Sequence, residues 1–350
     1  METSIDRIPI QLTTFLDNEQ PLVISDYEES FGSHKVLNVL PKHLQRTEFP
    51  NRRHTHENND NELYPDEQSQ GWRTDRLKNI PGFRIMLNQF SESKWFIMID
   101  DDTYIFKNNL IAHLLTLDDS KPLYIGHDLG MGECGENGKI DNPAFAQGGA
   151  GIVLSRPALV KMVNMSHLCE KRHENCFAGD MSTSLCLRDA GVYLNKNDLN
   201  RNFHDISIQK LSISDPCDKP FSFHHLRPLH IKLLHDLEVE MQAEHGHNAL
   251  INVGMVFKYM LYSYPLIKYK FNHNLTHFGL DLVGGDYEEI VNATLQNCQA
   301  ACLNDLKCLS WSFVNEICKK KDGMPIPVEK ENVYSGWFED KLKCKIESIT

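Results

Sequence analysis

The sequence predicts an α/β fold, in which helices flank a layered β-sheet, followed by a small cysteine-rich module. Strand-like and helix-like segments alternate through most of the chain, and this alternation is typical of α/β sheets. Five of the ten cysteines lie in the last quarter of the sequence. The length of 350 residues accommodates two domains of roughly 150 residues each.

Short apolar runs mark the predicted strands, and longer periodic runs between them mark the helices. The strands are predicted at residues 21–26, 94–99, 122–126, 150–154 and 192–194. The helices are predicted at 71–89, where Pro81 interrupts the pattern, and at 109–117, 157–163 and 181–190. Residues 51–71 are rich in Asn, Asp, Glu and His, which predicts an exposed loop.

The run Lys94–Ile99 carries the strongest strand pattern in the chain. Its residues are apolar on both faces, which predicts a central parallel strand. After Tyr269 the composition becomes cysteine-rich and the elements become short, so we place a domain boundary there. The predicted domains are residues 1–268 and 269–350.

Charge and hydropathy narrow the classes of function. The chain has 36 Lys and Arg residues against 48 Asp and Glu residues, a net charge of −12. A general nucleic-acid binder would carry a basic face, so this balance argues against nucleic-acid partners. No apolar run approaches the roughly 18 residues of a membrane span, and Met1–Ile10 lacks the pattern of a signal peptide.

The cysteines and three sequons favour the secretory pathway. The sequence contains no Cys-x-x-Cys pair of the kind that zinc sites use, so disulfides are favoured over a metal site. Asn164, Asn274 and Asn292 each begin an Asn-x-Ser/Thr triplet, although such triplets also arise by chance. Together these features predict an oxidising compartment.

Three adjacent carboxylates, Asp100, Asp101 and Asp102, follow the strand at 94–99 directly. In open α/β sheets, ligands bind beyond the carboxyl ends of the strands. Adjacent carboxylates repel one another, and a cation bound among them offsets this repulsion. Oxygen ligands suit Mg²⁺ or Mn²⁺, which can bridge to a diphosphate. We therefore favour a metal site here over a solvated acidic turn.

Other segments have both a functional and a structural interpretation. Gly148 and Gly149 allow the backbone to approach a ligand closely, or they form a tight turn before a strand. Asp180 precedes a helix and is either a general base or an N-cap. The same choice, between ligand contact and ordinary packing or solvation, applies to His224, His225, Arg73 and Arg76.

Several segments of the chain are to be considered together: Val23-Ile-Ser-Asp26, Trp95 to Ile105 with its three Asp residues, Gln147 to Arg156, Ala178-Gly-Asp180 and Cys217 to Leu226. They resemble the Fringe-like glycosyltransferases of family 31, and they occur in the family's order. The resemblance covers roughly residues 8–240 and in detail is most similar to fungal members. It implies a GT-A-like, Rossmann-type mixed sheet flanked by helices.

The resemblance also implies a function and a set of site residues. Family members are inverting transferases, so we expect a hexose or N-acetylhexosamine to pass from a UDP-sugar to a glycan or glycoprotein hydroxyl, in β-1,3 linkage. Asp180 is the implied general base. The implied ligands of Mn²⁺ or Mg²⁺ are Asp100, Asp102 and one of His224 and His225. The implied nucleotide and sugar contacts are Asp26, Arg73, Arg76, Asp100, Asp101, Gly148 and Gly149.

The last part of the chain contains Gly279 to Tyr287, Cys298-Gln-Ala-Ala-Cys302, Cys308 to Phe313, Cys318 and Ser335-Gly-Trp337. These segments resemble a PAN/apple domain. The family pattern implies the disulfides Cys298–Cys318 and Cys302–Cys308, whereas four cysteines by themselves allow three connectivities. We expect Trp311, Phe313 and Trp337 to pack in the core; the alternative is a contact face for carbohydrate or protein.

The beginning of the chain departs from the family pattern. Family domains start with a membrane anchor and a buried strand, and neither is recognisable before Arg7. The loss of a central strand would expose sheet edges, so an alternative function is an inactive protein that binds glycan or protein through its PAN module. A metal-dependent phosphoesterase is a third hypothesis. The resemblance places the protein in the secretory pathway, in the Golgi lumen.

Overall fold

The computed structural model describes residues 4–40, 42–44, 74, 76–130, 134, 144–204, 215–263, 276–323 and 326–344. The polar segment 51–71, Arg73 and Asn274 lie outside these residues. The chain divides into two compact units, Met1–Asp205 with Ser222–Ile231, and Ile206–Phe221 with Lys232–Thr350. The predicted boundary between residues 268 and 269 also lies outside the described residues and stays a prediction.

The first unit alternates helices and strands as the sequence predicts, except that the predicted strand at 192–194 is only an isolated parallel bridge between Leu194 and Tyr124. In chain order its elements are α1 (Ser4–Leu12), β1 (Val23–Ser25), β2 (Glu29–Phe31), β3 (His34–Asn38), α2 (Asn79–Gln89), β4 (Trp95–Met98), β5 (Tyr104–Ile105), α3 (Lys107–Leu114), β6 (Tyr124–Ile125), β7 (Asp128–Leu129), β8 (Phe145–Ala146), β9 (Ile152–Ser155), α4 (Arg156–Arg172), α5 (Gly179–Asp189), β10 (Phe203–His204) and β11 (Ser222–Phe223). Two 3₁₀ turns lie at Lys42–Leu44 and Asp198–Asn202. The α/β prediction is confirmed.

The described strands of this unit form small sheets. Those with the orders β1-β3-β2 and β10-β11-β5 are mixed, and those with the orders β4-β9-β6 and β7-β8 are antiparallel. Strand β4 pairs antiparallel with β9, with Phe96 opposite Leu154. The expected parallel strand is therefore wrong for the described pairing. Phe96 packs in a core cluster with Phe83 of α2, while Ile97 approaches Gly151. Phe96 is buried and the other three residues of β4 are half-buried, so both faces are at least partly covered. This agrees with the continuous apolar pattern, which leaves strand direction open.

Helix α2 begins at Asn79, so Pro81 lies in its first turn. The N–H groups of a first turn have no intrahelical acceptor, and a proline there removes no helical hydrogen bond. The expected interruption at Pro81 is therefore wrong. Apolar side chains of α2 and α4 pack on the sheet in a cluster that includes Ile80, Phe83, Phe96, Tyr124, Ile152, Leu154, Leu159 and Met162.

All ten cysteines are among the described residues, and all form disulfides. The pairs are Cys134–Cys176, Cys169–Cys186, Cys217–Cys344, Cys298–Cys318 and Cys302–Cys308. The preference for disulfides over a zinc site is confirmed, as are the two bridges that the PAN pattern implies. Within the first unit, one bridge ties α4 to α5 and thereby fixes the helix that carries Asp180.

The second unit contains the cysteine-rich module. Its elements are α6 (Pro228–His245), which begins in the first unit, then α7 (Val253–Ser263), β12 (His277–Val283), β13 (Asp286–Ile290), α8 (Leu295–Asn304), β14 (Ser310–Val314), β15 (Ile317–Lys321), β16 (Ile326–Trp337) and a 3₁₀ turn at Glu339–Leu342. The strands form one antiparallel sheet in the order β12-β16-β14-β15-β13. Trp311 and Trp337 are buried at 2% and 8% exposure, which confirms their predicted core role.

Residues 215–221 and 232–263 pack with this module within the second unit. The Val253 N–H donates to the Asp218 carbonyl oxygen at 2.9 Å, and Lys258 pairs with Glu339 at 2.8 Å. The Cys217–Cys344 bridge joins the same segment to the end of the module. Among the described residues, no helix combines the length and apolar character that crossing a bilayer requires.

His230, in the first turn of α6, gives the fold a specific acid sensitivity. Burial, with a smaller contribution from Arg227, lowers the pKa of His230 to about 4. The unfolded chain takes up a proton at this residue near its ordinary pKa of 6.5, so stability falls as the pH falls below that value. We expect this residue to remove about 2 kcal/mol of unfolding free energy between pH 7 and pH 5.

Denaturant unfolding at the two pH values checks this expectation. His230→Asn should lose that part of the pH dependence, whereas His247→Asn, at an exposed position, should keep it. An unchanged pH dependence in His230→Asn would contradict the assignment.

Candidate functional site

The backbone brings the acidic loop and the histidine pair together. Strand β5 pairs antiparallel with β11, with Tyr104 opposite Phe223. In an antiparallel pair, the residues before one strand lie opposite the residues after the other, so Asp102 and His224 meet at one end of this pair. The Leu226 N–H donates to the Asp102 carbonyl oxygen at 2.9 Å and extends the pairing beyond the strands.

The Asp102 carboxylate faces two imidazoles. Its Oδ1 is 3.1 Å from Nε2 of His224, and its Oδ2 is 3.8 Å from Nδ1 of His225. Successive residues of an extended chain point to opposite faces, but His225 has a left-handed φ of 55°, which breaks that alternation. The two rings consequently stack, with their centroids 3.8 Å apart. Asp100 Oδ2 lies 3.7 Å from Nε2 of His224.

Asp102 is almost completely buried, with 7% of its surface exposed. Burial alone would raise the pKa of Asp102, but His224, Arg7 and His225 outweigh burial and hold that pKa well below its ordinary value. The carboxylate is therefore negatively charged at neutral pH. A buried carboxylate beside two imidazoles is an arrangement that suits the binding of a cation.

The donor atoms fit a divalent metal ion. One atom from each of Asp102, His224 and His225 lies within 4.8 Å of the others. A carboxylate with imidazoles is a donor set that first-row transition metals accept, whereas Mg²⁺ prefers oxygen ligands. Of the two ions that the sequence predicts, Mn²⁺ fits this set better. The sequence left the choice of histidine open, and the structure places both beside the carboxylate.

The Gly148-Gly149 turn lies between the histidine pair and Asp180. A Cβ on Gly149 would overlap the imidazole of His224, and a Cβ on Gly148 would stand 3.2 Å from the Asp180 Cβ. The Thr103 hydroxyl donates to the Gly149 carbonyl oxygen at 2.6 Å and fixes the turn against the acidic loop. The two glycines thus admit protein side chains from both sides, and their contact with a ligand stays a prediction.

Asp180 lies in the first turn of α5, where backbone amides orient its carboxylate. Oδ1 accepts from the Met181 N–H at 2.7 Å, and Oδ2 accepts from the Gly148 N–H at 2.9 Å. Ala178 occupies the N-cap position, so the alternative interpretation of Asp180 as the N-cap is wrong. Its role as general base stays a prediction, now with a defined orientation.

Asp26 lies at the end of β1 and is fully buried. The Ser25 hydroxyl donates to its Oδ1 at 3.1 Å, and the Thr74 hydroxyl donates to its Oδ2 at 3.3 Å. These bonds compensate the burial of the carboxylate. They leave the predicted contact with the nucleotide a prediction.

Arg76 is held by carbonyl oxygens in the loop before α5. Its Nη1 donates to the carbonyl oxygens of Glu174 and Cys176. A guanidinium has five N–H donors, so these two bonds are compatible with the predicted phosphate contact. That contact stays a prediction. Arg73, the other predicted phosphate contact, lies outside the described residues.

Two residues of α1, neither of them predicted as a site residue from the sequence, contact the acidic loop. Arg7 Nη1 donates to Asp101 Oδ1 at 3.0 Å and to Asp102 Oδ2 at 3.2 Å. Gln11, one turn later, donates to two backbone carbonyl oxygens of the same loop, at 3.0 and 2.9 Å. The i, i+4 spacing of two polar side chains places them on one helix face, but that spacing names no distant partner.

Gly149→Ala is expected to weaken Mn²⁺ binding by at least about 10-fold, because the added methyl group displaces the imidazole of His224. Gly130→Ala is the matched control, since a Cβ at Gly130 meets nothing within 4 Å. Calorimetric titration of Mn²⁺ into each variant, with thermal unfolding to verify folding, makes the measurement. Equal affinities in the two folded variants would show that His224 does not bind the metal.

Comparison with known proteins matches two family models to the chain. The Fringe-like family matches residues 42–240, more than half of the chain, and the PAN domain matches residues 280–324. Human chondroitin sulfate synthase 3 is 35% identical over 105 residues, which cover 28% of this chain and 11% of that protein.

Two further relatives are named for β-linked sugar transfer. Mouse beta-1,3-glucosyltransferase is 26% identical over 153 residues, which cover 43% of this chain and 29% of the relative. The Xenopus laevis glycoprotein-N-acetylgalactosamine 3-beta-galactosyltransferase 1 is 29% identical over 102 residues, with 29% and 26% covered. This chain thus spans less than a third of each relative's length. Because the family match covers more than half of the sequence, the chain belongs to the Fringe-like family, and it carries a PAN domain.

Proposed function

We propose that the protein is a glycosyltransferase that moves a sugar from a UDP-sugar to a hydroxyl of a glycan or glycoprotein. The observation that carries this proposal is the placement of buried Asp102 with His224 and His225 on one side of a glycine turn and of Asp180 on the other. Two relatives are named for β-1,3-glucosyl and 3-β-galactosyl transfer, which supports a hexose donor and a β-1,3 linkage.

Asp102, His224 and His225 would hold the metal ion, with Asp100 at the edge of the cluster. When bound, Mn²⁺ supplies Lewis-acid stabilisation of the negative charge that gathers on a leaving diphosphate. The depressed pKa of Asp102 keeps its carboxylate anionic. Burial of Asp102 and His224 keeps water away from these ligands, which strengthens their electrostatic attraction for a cation.

Asp180 would act as the general base. In a single displacement, the acceptor oxygen bonds to the anomeric carbon while the bond from that carbon to the diphosphate oxygen breaks. UDP leaves with the bonding electrons, the acceptor proton passes to the Asp180 carboxylate, and the anomeric configuration inverts. The amides of Gly148 and Met181 hold the carboxylate in one orientation, which reduces the entropy that the reaction must lose.

The disulfides and the PAN module support a cellular location and a further binding role for the protein. Five disulfides are typical of oxidising compartments, which supports the secretory pathway and the Golgi lumen as the location. The PAN module would contribute a second binding surface for glycan or protein. The assembled site favours catalysis over the alternative of an inactive binding protein.

Asp180→Asn is expected to lower the rate of sugar transfer by about 10²- to 10⁴-fold, because the amide cannot accept the proton. Its Mn²⁺-dependent affinity for UDP should stay within about twofold of wild type, since the substitution leaves the metal ligands in place. Asp102→Ala should lose both transfer and UDP binding. Calorimetric titration of UDP, with Mn²⁺ and with chelator, and a radiolabelled transfer assay provide the two measurements.

Asp198→Ala, at an exposed acidic position, is the control and should match wild type in both assays. Intact Mn²⁺-dependent UDP binding by Asp102→Ala would exclude the metal assignment. Full transfer activity in Asp180→Asn would exclude that residue as the base.

A further inference from the structure

Arg7 places a positive charge against the proposed metal cluster. Its Nη1 bridges Asp101 Oδ1 at 3.0 Å and Asp102 Oδ2 at 3.2 Å. The other oxygen of Asp102 lies 3.1 Å from Nε2 of His224. Arg7 and His224 therefore hold opposite oxygens of one carboxylate, and between them they fix the plane of that group.

The surrounding structure fixes Arg7 in this position. The side chain is 21% exposed, so most of the guanidinium is shielded from solvent. Gln11, on the same face of α1, bonds to the carbonyl oxygens of Asp100 and Thr103 and docks the helix on the acidic loop. A charge-assisted pair with two carboxylates at this depth is stronger than a surface ion pair.

We propose that the positive charge of Arg7 limits the affinity of the site for free Mn²⁺. This inference rests on the proposed function. The guanidinium neutralises part of the negative charge of the acidic loop and repels a metal ion that binds beside it. The site then binds Mn²⁺ tightly only when the phosphates of the nucleotide add negative charge. The binding of Mn²⁺ and of UDP is thereby coupled.

Arg7→Met tests this proposal, because replacing a residue that only packs against the loop would not raise the affinity for Mn²⁺. We expect the affinity for Mn²⁺ alone to rise about 10-fold, because a repelling charge has been removed. With UDP bound, the phosphates offset the charge of Arg7, so the affinity for Mn²⁺ should change little in that state. The factor by which UDP strengthens Mn²⁺ binding should therefore fall by a similar amount. Calorimetry with MnCl₂, in the presence and absence of UDP, measures both quantities.

Three further variants separate charge from structure. Arg7→Lys keeps the charge, and its affinity for free Mn²⁺ should stay within about threefold of wild type. Gln11→Met removes two bonds that hold the loop and should weaken Mn²⁺ binding, which is the signature of a structural role. Arg84→Met breaks an arginine pair with Glu170, outside the cluster, and should leave both affinities unchanged.

Each outcome decides the question. A rise in free Mn²⁺ affinity in Arg7→Met, with restoration in Arg7→Lys, supports the proposal. A fall like that of Gln11→Met, or no change in a folded Arg7→Met protein, overturns it. A wild-type protein without Mn²⁺-dependent UDP binding would instead overturn the proposed function, and the inference with it.

Discussion

The close packing of the Gly148-Gly149 turn is the constraint on which the site depends. His224 occupies the space where a Cβ of Gly149 would lie, and Asp180 contacts the neighbouring glycine through both packing and a backbone hydrogen bond. A side chain at either position would push apart the proposed base and the proposed metal ligand. The distance between these two chemical functions is therefore set by two residues that carry no side chain.

The sequence predicted the elements of the fold better than their pairing. Apolar periodicity is a local property, so the runs around Trp95 and Ile152 identified β4 and β9 correctly. Strand direction depends on distant partners, and a run that is apolar on both faces fits either direction, so the parallel expectation for β4 was wrong. The expected interruption at Pro81 was wrong because a proline breaks the interior of a helix but is accommodated in its first turn. The PAN disulfides followed from the family resemblance, since spacing alone left three connectivities open.

Part of the site was similarly accessible from the sequence. Three acidic residues directly after a buried strand made Asp102 a candidate for a metal site, and the structure places it beside His224 and His225. The choice between the two histidines could not be made from the sequence, because it depends on a left-handed residue that turns two neighbouring rings toward one carboxylate. Arg7 was missed because the sequence predicted no helix at residues 4–12, and only the folded chain brings this arginine to the acidic loop.

The central claim is that Asp102 and the histidine pair bind a metal ion together. The most direct test is pulsed electron paramagnetic resonance of Mn²⁺ bound to the wild-type protein in the presence of UDP. We expect one tightly bound Mn²⁺ whose echo modulation shows coupling to imidazole nitrogen, and to phosphorus from the nucleotide. Stoichiometric Mn²⁺ binding without nitrogen coupling, or no bound Mn²⁺ in a cooperatively folded protein, would contradict it.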